Sequence, residues 1–254
     1  MGSPTRVRNH CSPEAPVLAS SDIHSPRYLG VFKEALEKYR GPSPCLFLLA
    51  GDIVDKGNVA AAEPVFRAIY ERFNDNPLRI VAVFGNEEYH DREVLFIKKY
   101  SYVTWLNDSY TIVECGGTRI GIVGTRGALE RPTRWQRKNM PWLWRIYRER
   151  PRIIKELIKS VKKESDIVIL LSHYALSKAT IIGEPKSAWP EIYSPEMEKA
   201  LIESRPNAAV HGHSHHGKPF ALVNGIPVYN VALPLNKDVV RVCPARMRTL
   251  LDFY

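Results

Sequence analysis

The sequence predicts an α/β fold of two packed sheets with helices outside, formed by 254 residues of which 44% are hydrophobic. Two observations predict it. Short, wholly apolar runs alternate with amphipathic helical patterns through the N-terminal part, an order that favours parallel strands in a layered fold. The alternation then gives way to strand-like runs in close succession, one pair flanking Gly116-Gly117, which supply a second set of strands. A chain of this length buries a sizeable core and reads as one domain over residues 17–254. Residues 1–16 are polar, lack the apolar stretch of a signal peptide, and read as a loose tail.

Val17–Ser20 is the first buried strand. Val31, Phe32, Ala35, Leu36 and Tyr39 then recur at helical spacing. Cys45–Ala50 is a second strand. Val65, Phe66, Ile69, Tyr70 and Phe73 line a second helix, with Pro64 in its first turn, where proline is tolerated. Asp75-Asn76-Pro77 is a turn and Arg79–Phe84 a third strand. A short helix follows, then a hairpin of Thr111–Glu114 and Arg119–Val123. Ile153, Ile154, Leu157, Ile158 and Val161 mark a helix with Lys155, Lys159 and Lys162 outward. Ile167–Leu171 is a buried strand, residues 195–204 a helix, and residues 208–211, 219–223, 226–232 and 247–253 strands.

The net charge is +9, and its location is informative. Between Thr125 and Arg152 nine Lys/Arg face only Glu130 and Glu149, a local excess of +7. Trp135, Trp142, Trp144 and Tyr147 interleave with them. One reading is a substrate-gripping segment, with Arg126, Arg131 and Arg134 binding phosphate and aromatic faces stacking bases. A second is an amphipathic helix whose tryptophans pack on the core. A third is a protein interface, including one between copies of this chain. No apolar run is long enough to span a membrane. The four cysteines, Cys11, Cys45, Cys115 and Cys243, are far apart and form no CxxC pair, which argues against a disulfide scaffold or zinc ribbon and suits a reducing cytoplasm. A single Gln and abundant charge are traits reported for thermophile proteins.

Five motifs follow strand-like runs in one order: Asp22-Ile23-His24, Gly51-Asp52-Ile53-Val54-Asp55, Gly85-Asn86-Glu87-Glu88, Ser172-His173 and Gly212-His213-Ser214-His215. In layered α/β folds ligands gather beyond the C-terminal ends of strands. Residues i and i+2 of an extended chain point the same way, so Asp22 with His24, and His213 with His215, can each address one ion. Gly51 and Gly85 give flexible corners beside the site. Each motif alone has an ordinary explanation, a turn or a hydrogen-bonded core histidine; their co-occurrence is the signal. The donors suffice for two divalent cations, and mixed carboxylate, amide and imidazole suits Mn, Fe, Co, Ni or Zn better than Ca. A two-metal site is suited to cleaving phosphate esters, through a hydroxide that bridges the ions and attacks phosphorus in line. No nucleophilic Ser or Cys is then required, and Ser172 and Ser214 are read as structural.

The set resembles the calcineurin-like metallophosphoesterase superfamily, whose pattern is D-x-H, G-D-x-x-D, G-N-H-[DE], H and G-H-x-H, over residues 17 to about 232. The resemblance implies a four-layer α-β-β-α sandwich of two mixed sheets flanked by helices. It implies one metal held by Asp22, His24, Asp52 and His215, and another held by Asp52, Asn86, His173 and His213, with Asp52 bridging and Asp55 supporting the loop. The catalytic group would be Asp52, Asn86, Glu87 and His213.

One position departs from the pattern. Glu87 stands where the superfamily has a histidine that contacts the phosphate or leaving group, and a carboxylate beside cations is a poor proton donor. Glu87 could instead repel the second charge of a monoester and so favour diesters, or it could point away and cap the following helix. His90 is a candidate for the missing imidazole. The expected function is therefore a cytoplasmic, binuclear-metal-dependent phosphodiesterase acting on nucleotide or nucleic-acid esters. The alternatives are a phosphomonoesterase or protein phosphatase of the same fold, or a catalytically silent scaffold for protein binding.

Overall fold

The computed structural model describes residues 16–74 and 77–245. The chain runs through β1 (Val17–Ser20), α1 (Leu29–Lys38), β2 (Leu46–Ala50), α2 (Glu63–Arg72), β3 (Arg79–Val83), α3 (Glu93–Lys99), β4 (Thr104–Leu106), β5 (Ser109–Cys115) and β6 (Thr118–Thr125). It continues through α4 (Arg134–Asn139), α5 (Leu143–Val161), β7 (Ile167–Ser172), α6 (Pro195–Ser204), β8 (Ala208–His211), β9 (Phe220–Val223), β10 (Ile226–Asn230), α7 (Leu233–Asn236) and β11 (Val240–Val242). Among the described residues one sheet has the order β11-β1-β2-β3-β4 and the other β5-β6-β7-β8-β10-β9. β1 to β4 pair in parallel and β11 antiparallel; β6, β7, β8 and β10 pair in parallel, with β5 and β9 antiparallel at the edges.

The period-two alternation of strands sorts their side chains into layers. From β2, Phe47 and Leu49 face α1 and α2, whereas Leu46, Leu48 and Ala50 face the second sheet. From β7, Ile169 and Leu171 meet the first sheet, whereas Val168 and Leu170 pack under α5 and α6. Both faces of each sheet are thus covered, as buried parallel strands require, and the arrangement is the four-layer α-β-β-α sandwich of two mixed sheets. Gly124 of β6 sits where a Cβ would meet the Leu106 side chain at 2.3 Å, so glycine lets β6 and β4 approach closely.

The structure differs from the sequence reading in instructive places. β4 and β11 escape it because each has three residues, too few for a period to register. The strand expected over 247–253, the turn at Asp75-Asn76 and all but Pro16 of the expected tail lie outside the described residues. The helix expected from Ile153 begins ten residues earlier, at Leu143, and runs through Pro151. Proline removes one intrahelical hydrogen bond, but Leu143, Tyr147, Ile154, Ile158 and Val161 form a continuous buried stripe across it. Arg150 lies in that stripe, its guanidinium paired with Asp108 at 2.9 Å and bonded to the Gly127 carbonyl, so a charge can occupy the inner face.

The expectation of reduced cysteines is overturned. Cys45 and Cys115 are joined by a disulfide, and Cys243 carries no free thiol either. Separation in sequence hid the pairing: Cys45 precedes β2 and Cys115 ends β5, so residues 70 apart meet where the two sheets pack. This removes the cysteine argument for a reducing compartment, since such links persist where the surroundings are oxidising or in hyperthermophile proteins. Among the described residues no helix is long and apolar enough to cross a membrane.

Replacing Cys45 and Cys115 together by Ser frees a 70-residue loop in the unfolded chain. The expected loss is about 4 kcal/mol, a fall in thermal midpoint of roughly 10 °C. Calorimetry of the double variant beside the parent checks this, and an unchanged midpoint would show that the link adds no stability.

Candidate metal centre

Parallel strands deliver the five motifs to one end of the molecule. Asp22 lies just beyond β1, Asp52 beyond β2 and Asn86 beyond β3; His173 follows β7 and His213 follows β8. The first sheet therefore contributes Asp22, His24, Asp52 and Asn86, and the second contributes His173, His213 and His215.

The side chains converge as two groups. Asp22, His24 and His215 bring one ligand atom each within 4.8 Å of one another, and so do Asp52, His173 and His213. Asp52 faces both: its Oδ2 is 3.7 Å from His24 Nε2, and its Oδ1 is 3.6 Å from His173 Nε2. Asn86 Oδ1 is 3.0 Å from His173 Nε2, so the amide joins the second group. His24 Nε2 is buried, has no hydrogen-bond partner, and faces Asp22 and Asp52. An orphaned buried imidazole nitrogen between two carboxylates is what a cation site requires.

The imidazoles are held from behind, which frees the other ring nitrogen as a donor. His173 Nδ1 is 2.9 Å from the Ala50 carbonyl. His24 Nδ1 is 3.0 Å from Asp55 Oδ1, off-line for a full hydrogen bond, and Asp55 is anchored by Arg27 at 2.9 Å. The Glu191 backbone lies close enough to the His213 imidazole to favour its charged form, against the effect of burial.

The loops carrying the ligands adopt unusual backbone. Asp22, His24, Asp52 and His213 have φ of 54°, 45°, 49° and 67°, the left-handed region that non-glycine residues seldom occupy. Glu88 organises the corner around Asp52, its carboxylate accepting the N–H groups of Asp52 (2.9 Å), Val54 (3.1 Å) and Gly85 (2.7 Å). A Cβ on Gly85 would lie 2.1 Å from Asp52 Oδ1, so only glycine admits that carboxylate. Asp22 is fixed by the Ser21 hydroxyl, by the His213 N–H at 2.9 Å and by His215 Nε2 at 3.0 Å.

Electrostatics follow from this crowding. Burial drives the Asp52 carboxyl well above the usual range, and the charges of Glu88 and Asp22 push it further. Burial also raises Glu88, against its three N–H bonds and the pull of Arg126. Burial opposes the ionisation of Asp22 as well, but His215, His173 and Ser21 outweigh it and hold the carboxyl below the usual range. Burial lowers His173 and His213, keeping both neutral, the form in which imidazole binds metal. For His215 the hydrogen bond and charge of Asp22 overcome burial and raise it. Acids short of compensating charge beside neutral imidazoles are a donor set that fits divalent cations.

Other expected site residues fall elsewhere. Glu87 lies beside the centre: its N–H donates to Asp52 Oδ1 at 2.8 Å, and its carboxylate accepts the Lys56 N–H at 2.7 Å. It does not cap the following helical turn. His90 pairs with Glu93 at 3.0 Å rather than with the ligand groups. Arg126, expected to grip substrate, is 2% exposed and committed to Glu93 and the Glu88 carbonyl, because the apolar segment that follows draws its stem inward. Arg131 and Arg134 are exposed. Trp135, Trp142 and Trp144 are 64, 56 and 49% exposed, so they do not pack on the core as one reading had it. Ser172 and Ser214 make structural hydrogen bonds, to the Tyr174 carbonyl and to Glu184. Sequence reasoning gave no role to Tyr174, whose ring lies 5.3 Å from that of His173 and 4.9 Å from that of His213; only its place after His173 hinted at one.

A family model described as calcineurin-like phosphoesterase matches residues 15–217. No curated protein matches the sequence. Among solved structures, the chain is similar to phosphopantetheinyl hydrolase (PptH) from Mycobacterium tuberculosis, at 13% identity and a TM-score of 0.69, covering 93% of this chain and 99% of that one. It is also similar to the protein TT1561 of Thermus thermophilus, at 14% identity, a TM-score of 0.54, and coverage of 90% and 98%. Haemophilus influenzae NAD nucleotidase (NadN) matches at 14% identity and a TM-score of 0.51, over 90% of this chain and 49% of that one. At these identities the likenesses establish the fold.

Among the described residues Asp55 reaches the centre only through His24, so Asp55→Ala should leave the fold intact and weaken binding of added Mn by about 10- to 100-fold. Calorimetric titration of the variant measures this. An affinity equal to the parent's would show that Asp55 does not orient the imidazole.

Proposed function

Because this chain belongs to the calcineurin-like phosphoesterase family, we propose that it hydrolyses phosphodiesters at two divalent cations. Asp22, His24, Asp52 and His215 would hold one, and Asp52, Asn86, His173 and His213 the other. The observation that carries this reading is Asp52, which turns one carboxylate oxygen toward each group. Ions bound there would acidify a water to give the nucleophile and neutralise charge on the phosphate oxygens.

The chain's own residues set the rest. His24, His173 and His213 are oriented by partners on their far sides, so the donors are in place before a cation arrives. Asn86 adds a neutral oxygen, which limits the negative charge the site carries. Glu87 supports the preference for diesters. It stands where the family pattern has histidine, its N–H donates to Asp52, its carboxylate is fixed by the Lys56 N–H, and its charge is felt at Asp52. A negative charge in that place repels a monoester dianion more than a diester monoanion. The positive segment over residues 125–152 favours a nucleotide or nucleic-acid ester over a neutral one.

The test is hydrolysis of bis-p-nitrophenyl phosphate against p-nitrophenyl phosphate with Mn added and with EDTA. Diester cleavage should dominate and EDTA should abolish it. Asp52→Asn should lose metal and roughly a thousand-fold in rate, about 4 kcal/mol of transition-state stabilisation. Glu87→His should shift the ratio toward the monoester. Faster monoester cleavage by the parent would refute the diester preference. Bound metal without turnover of either ester would favour the silent scaffold.

A further inference from the structure

The segment between β6 and β7 builds a groove for which hydrolysis itself has no need. The chain leaves β6 beside β7, with Thr125 in register with Ser172, the residue before His173. It is anchored by buried Ala128 and Leu129 and then turns outward. There Arg131, Pro132, Arg137, Met140, Pro141 and Trp144 enclose a cleft of about 470 Å³. Its wall is apolar and its rim carries two guanidinium groups.

Two independent links tie this groove to the metal centre. The Glu191 carboxylate is 3.2 Å from Arg131 and 3.9 Å from Arg137, while the Glu191 backbone is close enough to the His213 imidazole to favour its charged form. Gln136 Nε2 donates to the Tyr174 hydroxyl at 3.2 Å, and the Tyr174 ring lies 4.9 Å from that of His213. One residue, Glu191, lies between groove and ligand on the first route and two, Gln136 and Tyr174, on the second, so a molecule whose phosphate sits at the cations has its organic arm directed toward the groove.

The chemistry of the lining selects the arm. One carboxylate faces two guanidinium groups, so a positive charge is left over. Arg137 Nη1 donates to the Pro132 carbonyl at 2.6 Å and lies 3.9 Å from Glu191, and its half-exposed guanidinium keeps further N–H groups for an acceptor oxygen. Trp144 presents a half-exposed aromatic surface, and flat apolar surface beside guanidinium donors suits a planar ring edged with acceptor oxygens. A purely aliphatic arm would leave the arginines unused, and an inorganic anion would leave the indole unused.

We propose that this groove is the subsite for the nucleoside arm of the substrate, with Trp144 stacking the base and Arg137 and Arg131 donating to its carbonyl oxygens. This rests on the phosphodiesterase reading and names its substrate class. The full-length chain with Mn is assayed on two diesters with one leaving group, thymidine 5′-monophosphate p-nitrophenyl ester and methyl p-nitrophenyl phosphate. Trp144→Ala should raise KM for the nucleotide ester about ten-fold rather than lower kcat, so that the kcat/KM ratio of the two esters falls accordingly. Trp135→Ala, exposed on α4 outside the groove, should keep the parent's ratio. An unchanged ratio in both Trp144→Ala and Arg137→Ala overturns the proposal. Calorimetric binding of thymidine 5′-monophosphate separates the two readings. Binding that Trp144→Ala weakens about ten-fold supports the groove even if neither ester is cleaved, in which case the hydrolytic reading alone fails. Cleavage of the methyl ester without such binding overturns the groove and leaves the hydrolytic reading standing.

Discussion

Asp22, Asp52 and Glu88 are buried together where water cannot separate them, and their mutual repulsion is the constraint to which the surrounding structure answers. The three are compensated unequally. Glu88 is wrapped by backbone N–H groups and attracted by Arg126, and Asp22 by imidazoles and the Ser21 hydroxyl. Among the described residues Asp52 receives the Glu87 N–H but no comparable counter-charge. The fold has thus settled two of its acids with its own groups and left the third facing both clusters, which is where positive charge from outside does most to lower the energy.

The scaffold makes this arrangement affordable by putting it at the open end of parallel strands. Strand ends fix Cα positions, and the irregular loops beyond them supply the directions. Left-handed backbone at Asp22, His24, Asp52 and His213 costs of order 1 kcal/mol per residue or more, and is over-determined by hydrogen bonds: their N–H groups donate to the Gly51 carbonyl, the Asp52 carbonyl, Glu88 and the Asp22 carboxylate in turn. Both sheets contribute ligands, so the inter-sheet core of Leu48, Val81, Ile169 and Val210 also sets the spacing of the two ligand groups.

Much of this was legible in the sequence. Buried strands such as Leu46–Ala50 and the Ile167–Leu171 run announce themselves as unbroken apolar stretches, and the candidate ligands Asp22, Asp52, His173 and His213 each follow one. What the sequence hid depends on three-dimensional neighbours. Cys45 and Cys115 carry no spacing signal. Arg126 and Arg150 look like solvent-facing members of a basic segment, yet each is buried against an acid contributed by a distant element. Pro151 reads as a helix boundary until the apolar stripe on both sides is seen to be one surface. Glu191 and Tyr174 matter only through the residues they touch.

The disulfide and the cluster of ligands lie at opposite ends of β2: Cys45 just before it and Asp52 just beyond it. The molecule therefore meets two properties of its surroundings at two separate places. On the proposed reading, dissolved cations act where the strand ends and bear on turnover. The thiol–disulfide balance acts where it begins and bears on how long each folded copy endures. A change of surroundings that altered one of these would leave the other to be set on its own terms, so that working rate and working lifetime are adjustable independently in a single polypeptide.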